Sequence, residues 1–224
     1  MSRFNIRVMF ADDHPVMLLG IRQALKEVQT IAYVGDASNS TELVDKLNCT
    51  ECDVLVTDYG MPGGDYGDGL AMLSFLRRSY PSLKIVVLTM MDNPAMLNVL
   101  LAQHVNGVVS KSDDVSHLIP AIHAAYSNGR YLSPAIEEMI GVRTGDKIAG
   151  IVPVMLTRRE TEVIRLLGDG LTVNQISERL NRSKKTISGQ KISAMKKLGI
   201  TRDIDIYKYV METGLALSST ITME

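Results

Sequence analysis

Asp12, Asp13, Asp58, Thr89 and Lys111 each stand where a short apolar run stops. The runs read as strands over Ile6–Ala11, Val54–Thr57, Ile85–Thr89 and Gly107–Ser110, with a further strand over Ile31–Gly35 that ends without a charged group. An Asp after a strand is, taken alone, most often a turn residue. Three acids, a hydroxyl and an ammonium at the ends of four of five strands are a different matter. Crowded carboxylates repel one another and raise their pKa values. A hard divalent cation relieves that conflict, and a ligand set made of oxygens alone favours Mg²⁺. Mg²⁺ keeps positions open for phosphate oxygens, which Thr89 can hydrogen-bond and Lys111 can pair with as a point charge. Asp58 is the carboxylate best placed to act as nucleophile, since carboxylates form phosphoryl intermediates. Gly60, two residues on, carries no side chain to keep its carbonyl from the metal.

For these groups to meet, the strands must lie parallel, with their carboxyl ends on one edge. The Val/Ile/Leu runs are nearly continuous, the pattern of strands buried on both faces and covered by helices. Amphipathic stretches near 15–28, 40–48, 69–79, 94–104 and 115–127 supply those helices. Residues 1–127 therefore form an α/β domain. Residues 128–152 read as a linker, punctuated by Gly and Pro, with room for a short helix near Pro134–Ile140. Residues 153–217 read as purely helical, over 157–168, 172–180, 184–197 and 203–212, and 218–224 as a loose tail.

Charge divides along the same line. Residues 1–127 hold 9 Lys and Arg against 14 Asp and Glu, a net −5, while residues 153–224 hold 12 against 8, a net +4. An acidic half joined to a basic half suggests that the second meets a polyanion. No apolar run approaches the roughly 20 residues of a membrane span, and the N-terminus lacks a secretory pattern, so the expected location is cytoplasmic. Cys49 and Cys52 form a C-x-x-C pair with no second pair and no nearby His. They are read as ordinary thiols.

In the basic half, Thr157-Arg-Arg-Glu160 is a capping box. Thr172 and Ser183 cap the next two helices, giving a helix-turn-helix plan. Six basic residues and no acid lie between Arg182 and Lys197. At about 100° per residue, Ile187, Ala194 and Leu198 face inward, and Lys185, Ser188, Gly189, Ile192 and Lys196 lie roughly opposite. Small residues at 188 and 189 admit the helix to a major groove, and Ile192 suits a thymine methyl. Lys184 and Thr186, at the helix start, suit phosphates.

The motifs "FADDHP", "TDYGMP", "VVLTM" and "VVSK" make residues 1–127 similar to a response-regulator receiver domain. The segment "LTRRETEVIRLLGDGLTVNQISERLNRSKKTISGQKISAMKKLGI" resembles the LuxR-type DNA-binding domain. Together they resemble the NarL/FixJ class of transcription factors. The resemblance implies a flavodoxin-like, five-stranded parallel sheet of order 2-1-3-4-5, an arrangement whose ligand rule is general, followed by an all-α four-helix domain. It implies phosphoryl transfer to Asp58 from a histidine kinase or histidine phosphotransfer protein. Asp12, Asp13, Asp58 and the Gly60 carbonyl hold Mg²⁺, and Thr89 and Lys111 sense the phosphoryl group. It implies DNA binding as a homodimer, or as a heterodimer with another regulator, and no enzymatic role beyond self-phosphorylation and autodephosphorylation. The sequence departs from the pattern in three places: Val108 stands where an aromatic is usual, Ser112 where Pro is usual, and the loop 63–69 is extended and acidic. The five pocket residues argue against a receiver acting mainly as a phosphorylation-independent dimerisation or partner-binding module, and Val108 keeps that alternative open. A phosphatase or dehalogenase built on Asp58 would need a general acid at position 60, where Gly stands.

Overall fold

The computed structural model describes residues 5–91, 93–140, 156–213 and 215. They form two compact units. The first is a parallel sheet of six strands in the order β2-β1-β3-β4-β5-β6. The strands are β1 (Ile6–Ala11), β2 (Ile31–Ala37), β3 (Val54–Asp58), β4 (Lys84–Thr89), β5 (Gly107–Ser110) and β6 (Tyr131–Leu132). The connecting helices are α1 (Pro15–Leu25), α2 (Ser40–Cys49), α3 (Gly69–Ser79), α4 (Pro94–Ala102) and α5 (Leu118–Tyr126), the last preceded by a 3-10 turn over Val115–His117.

Burial on both faces explains why these runs are largely apolar. Val8, Phe10, Val54, Val56, Val86, Leu88 and Val109 pack with Leu18, Ile21 and Leu25 of α1 and with Leu118, Ala121, Ile122 and Ala125 of α5. The alternating residues Met9, Leu55, Ile85, Val87 and Val108 point to the opposite face and are also buried. Both faces are covered, so most positions within the central strands are apolar, and Asp58, Thr89 and Ser110 stand last in β3, β4 and β5.

The sheet has one strand more than the five expected. β6 pairs in parallel with β5, Gly107 opposite Tyr131 and Val108 opposite Leu132. At two residues it is too short to show periodicity. It belongs to the span 128–152 that reads as linker. The helix that follows, α6 (Pro134–Ile140), falls where a short helix was allowed. It is an integral element, not a tether. Leu132, Ser133 and Ile136 are buried, the Ser110 amide donates to Ser133 Oγ at 2.9 Å, and Asp113 accepts from the Ala135 amide at 3.2 Å. The rest of that span, 141–152, and the tail 218–224 lie outside the described residues.

The extended loop after β3 is docked. Thr41 Oγ1 accepts from the Asp65 amide at 2.8 Å, and the Tyr66 ring lies tilted at 38° to Phe75, with centroids 4.5 Å apart. Gly64 is required by space here, because a Cβ would come within 2.1 Å of Ser40 Oγ and 2.7 Å of its amide nitrogen.

The second unit holds α7 (Arg158–Gly168), α8 (Val173–Arg179), α9 (Lys184–Leu198) and α10 (Asp203–Glu212). Thr157, Thr172 and Ser183 cap the first three, the first two through full capping boxes with Glu160 and Gln175. Gly199 ends α9 in the left-handed region at φ 68°, the usual role of Gly after a helix. Val163, Leu166, Ile176 and Ile187 form the core of this unit.

Candidate functional site

β1, β3, β4 and β5 bring Asp12, Asp58, Thr89 and Lys111 to the carboxyl edge of the sheet. Asp12 is 1% exposed, Thr89 2% and Asp58 7%. Lys111 Nζ bridges the acids, 2.8 Å from Asp12 Oδ2 and 2.7 Å from Asp58 Oδ2. The Gly60 amide also donates to the Asp58 carboxylate. Thr89 Oγ1 accepts from the Met91 amide at 2.9 Å, which fixes its rotamer beside the strand end.

Burial holds the Asp58 carboxyl above the ordinary carboxylate range. Its bond to Lys111 pulls the other way, and the Asp12 charge adds a smaller upward push. Repulsion among the carboxylates is the cause expected from the sequence. The larger cause is desolvation, because Lys111 sits between the two acids and offsets much of their mutual field. For Lys111, burial alone would favour the neutral amine, but bonds to Asp12 and Asp58 outweigh it and leave the ammonium favoured.

Ligand atoms of Asp12, Asp13, His14 and Asp58 all lie within 4.8 Å of one another. Asp12 Oδ2 and Asp13 Oδ1 are shut off from solvent without a well-aligned hydrogen bond, although Lys111 Nζ and His14 Nδ1 stand 2.8 Å and 2.7 Å away. Such under-satisfied oxygens fit a small hard cation, which asks for no donor geometry. Packing by the protein is not what calls for Gly at position 60. A Cβ there meets nothing within 4 Å, so the protein around it does not demand Gly. His14 was missed as a member of the cluster. Its amide donates to Asp12 Oδ1 at 2.9 Å, and the adjacency in "DDH" was the available signal. Val108 is fully buried, opposite Val87 and Leu132, so no ring stands ready to swing at that position.

On α9 the expected faces are found. Ile187, Ala194 and Leu198 are buried, while Ile192 is 66% exposed. Lys184, Lys185, Thr186 and Gly189 are exposed at the start of the helix, as is Lys196 near its end, and Ser188 is half-buried. The six cations of this stretch fall into two groups. Arg182 pairs with Glu162 at 3.2 Å, Lys191 with Asp203 at 2.6 Å and Lys197 with Glu160 at 2.7 Å. Lys184, Lys185 and Lys196 form no ion pair among the described residues. Thr186 is partly committed, its hydroxyl 2.8 Å from Ser183 Oγ within the cap.

Residues 8–123 match the response regulator receiver domain family. Residues 154–210 match the luxR family of bacterial regulatory proteins. The chain belongs to the response regulators. This response regulator is 39% identical over 217 residues to the transcriptional regulatory protein RcsB of Escherichia coli K12, covering 95% of this chain and 97% of that one. It is 29% identical over 221 residues to the response regulator UvrY of Escherichia coli O6:H1, covering 98% of this chain and all of that one. Its fold matches an RcsB–DNA complex with a TM-score of 0.81 at 37% identity, over 93% of this chain and 98% of that one. It also matches RcsB of Salmonella enterica serovar Typhimurium bound to the promoter rprA with the phosphomimetic BeF₃⁻, with a TM-score of 0.81 at 38% identity, over 93% of this chain and all of that one. Among the described residues no helix is long and apolar enough to cross a membrane.

Proposed function

We propose that this response regulator accepts a phosphoryl group on Asp58 and, so modified, binds promoter DNA as a dimer through α9. The observation that carries the reading is the Asp58 carboxylate, 7% exposed, held by Lys111 beside two further acids at the edge where parallel sheets bind ligands. A carboxylate oxygen of Asp58 attacks the donor phosphorus. The bond from phosphorus to the nitrogen of a donor histidine breaks, and the electron pair returns to the imidazole. Asp12, Asp13, Asp58 and the Gly60 carbonyl would hold Mg²⁺, which supplies neutralisation of the phosphoryl oxygens' charge.

Lys111 must leave Asp58 Oδ2 for a phosphoryl oxygen, and Thr89 turns its hydroxyl toward another. Both movements begin at the ends of β4 and β5, and β5 leads through Ser110 and Asp113 to β6 and α6. The RcsB complexes with DNA support DNA as the ligand, and Lys184, Lys185 and Lys196 of α9, without an ion pair among the described residues, supply the charge to meet it. Ser188, Gly189 and Ile192 are the side chains set to meet base edges. A histidine kinase or phosphotransfer protein is the donor class that a receiver implies. The self-phosphorylation and slow self-hydrolysis expected of an acyl phosphate take place in the same pocket.

The test measures DNA binding of the full chain before and after treatment with acetyl phosphate and Mg²⁺. Tighter binding by the wild-type chain, with no change in Asp58→Ala, is expected. An equal response in the variant would remove Asp58 from the switch. No response in either would favour a receiver that works as a partner-binding module.

A further inference from the structure

Glu160 does more in the helical unit than complete a capping box. It is 5% exposed. Its Oε2 accepts from the Thr157 amide and from Lys197 Nζ, each at 2.7 Å, and its Oε1 accepts from Ser193 Oγ at 2.7 Å. One buried carboxylate thus ties the first turn of α7 to two residues of α9 that stand four apart. On the helical wheel Ser193 and Lys197 lie about 40° from each other and roughly 100° round from the face carrying Ser188, Ile192, Lys185 and Lys196. Lys191, paired with Asp203 of α10, holds the other flank.

The inward contacts of α9 come from Ile187, Ala194 and Leu198, and apolar contact is non-directional. It resists lifting the helix but not rolling it. Hydrogen bonds are directional and resist roll. The lever arm is long: with side-chain tips about 6 Å from the axis, a roll of about 20° moves them by about 2 Å. A base-edge hydrogen bond does not survive that shift. Glu160 also decides what the Lys197 ammonium does. An unpaired lysine here would join any nearby phosphate without regard to sequence.

We propose that Glu160 is a positioning residue for sequence readout, which clasps Ser193 and Lys197 to set the roll of α9 and keeps the Lys197 charge off the nucleic-acid backbone. The proposal rests on the DNA-binding reading and adds to it a residue that touches no DNA.

The experiment uses the full chain, a duplex enriched by the wild-type protein from a random-sequence pool, and a scrambled duplex of the same composition. Affinities are measured over a range of salt. For Glu160→Ala the preference for the enriched duplex should fall roughly tenfold, the worth of one base contact, and the slope of log affinity against log salt should steepen by about 0.9 per protomer. Because this change also opens the capping box, a Ser193→Ala/Lys197→Ala double variant provides an independent arm. It should lose preference to a similar extent with no gain in slope. Glu160→Gln, which keeps an acceptor for Ser193, should retain more preference than Glu160→Ala.

Uniform weakening on both duplexes at unchanged slope would reduce Glu160 to a structural cap and overturn the proposal. So would an unchanged preference in the double variant, whether or not Glu160→Ala folds. A wild-type chain that enriches no sequence would sink the DNA-binding reading itself, and the proposal with it.

Discussion

The division of basic residues along α9 makes a prediction that separates neighbours of identical type. Lys184 and Lys191 are both lysines on one helix. Lys184 is exposed and forms no ion pair among the described residues, whereas Lys191 is 18% exposed at its side chain and sits 2.6 Å from Asp203. Each phosphate neutralised contributes about 0.9 to the slope of log affinity against log salt. In a two-fold dimer Lys184→Ala removes two contacts, so the slope should fall by about 1.8. Across a fourfold change in salt that slope corresponds to about a twelvefold change in affinity. Lys191→Ala removes a charge already neutralised within the protein and should leave the slope within about 0.3 of wild type. Fluorescence anisotropy on enriched and scrambled duplexes between 50 and 200 mM salt resolves the two. Both duplexes should show the same loss for Lys184→Ala, because a phosphate carries no sequence. Equal slope changes for the two variants would overturn this division of the lysines, as would a Lys184→Ala effect confined to the enriched duplex.

Three further outcomes follow from the geometry. A receiver fragment ending at residue 127 loses buried Leu132 and Ile136, each worth about 1.5–3 kcal/mol; it should be less stable in urea than a fragment ending at 140 by about 3–6 kcal/mol as an upper value, and a difference under about 1 kcal/mol would return β6 and α6 to the linker. Burial raises the Glu160 carboxyl, but the bond to Lys197, then those to Thr157 and Ser193, outweigh it and hold the group at about 2. The folded value lies below the unfolded one, so this stabilisation is full above about pH 4.5 and is lost as pH falls toward 2. Discounted for a one-third-exposed Lys197, it is on the order of 2 kcal/mol; the melting temperatures of wild type and Glu160→Gln should differ near pH 6 and converge at low pH, and a constant gap would contradict the linkage. Burial pushes the Cys52 thiol up to about 11, so iodoacetamide at neutral pH should label exposed Cys49 and spare Cys52, as read by peptide mass.

The receiver pocket was legible because its chemistry sits at strand ends, and a strand buried on both faces announces where it stops. Asp12, Asp58, Thr89 and Lys111 could be placed on one edge before any coordinates. The inward face of α9 was legible for a similar reason, since Ile187, Ala194 and Leu198 repeat at helical spacing. β6 was not, because two residues have no period, and its pairing depends on β5, more than 20 residues away. The cause of the raised Asp58 pKa was misjudged, because the sequence shows three negative charges together but not the burial around them or the lysine between. The clasp of Glu160 on Ser193 and Lys197 spans more than 30 positions. The capping box accounted for that residue so well that nothing in the sequence asked for a second role.

The proposed switch depends on a phosphoryl group carried by Asp58. The direct measurement is site mapping: treat the full chain with acetyl phosphate and Mg²⁺, reduce the acyl phosphate with borohydride, and read the modified residue by tandem mass spectrometry. Homoserine is expected at position 58, dependent on Mg²⁺ and absent without phosphodonor. Homoserine at another aspartate, or phosphate incorporation that persists in Asp58→Ala, would contradict it.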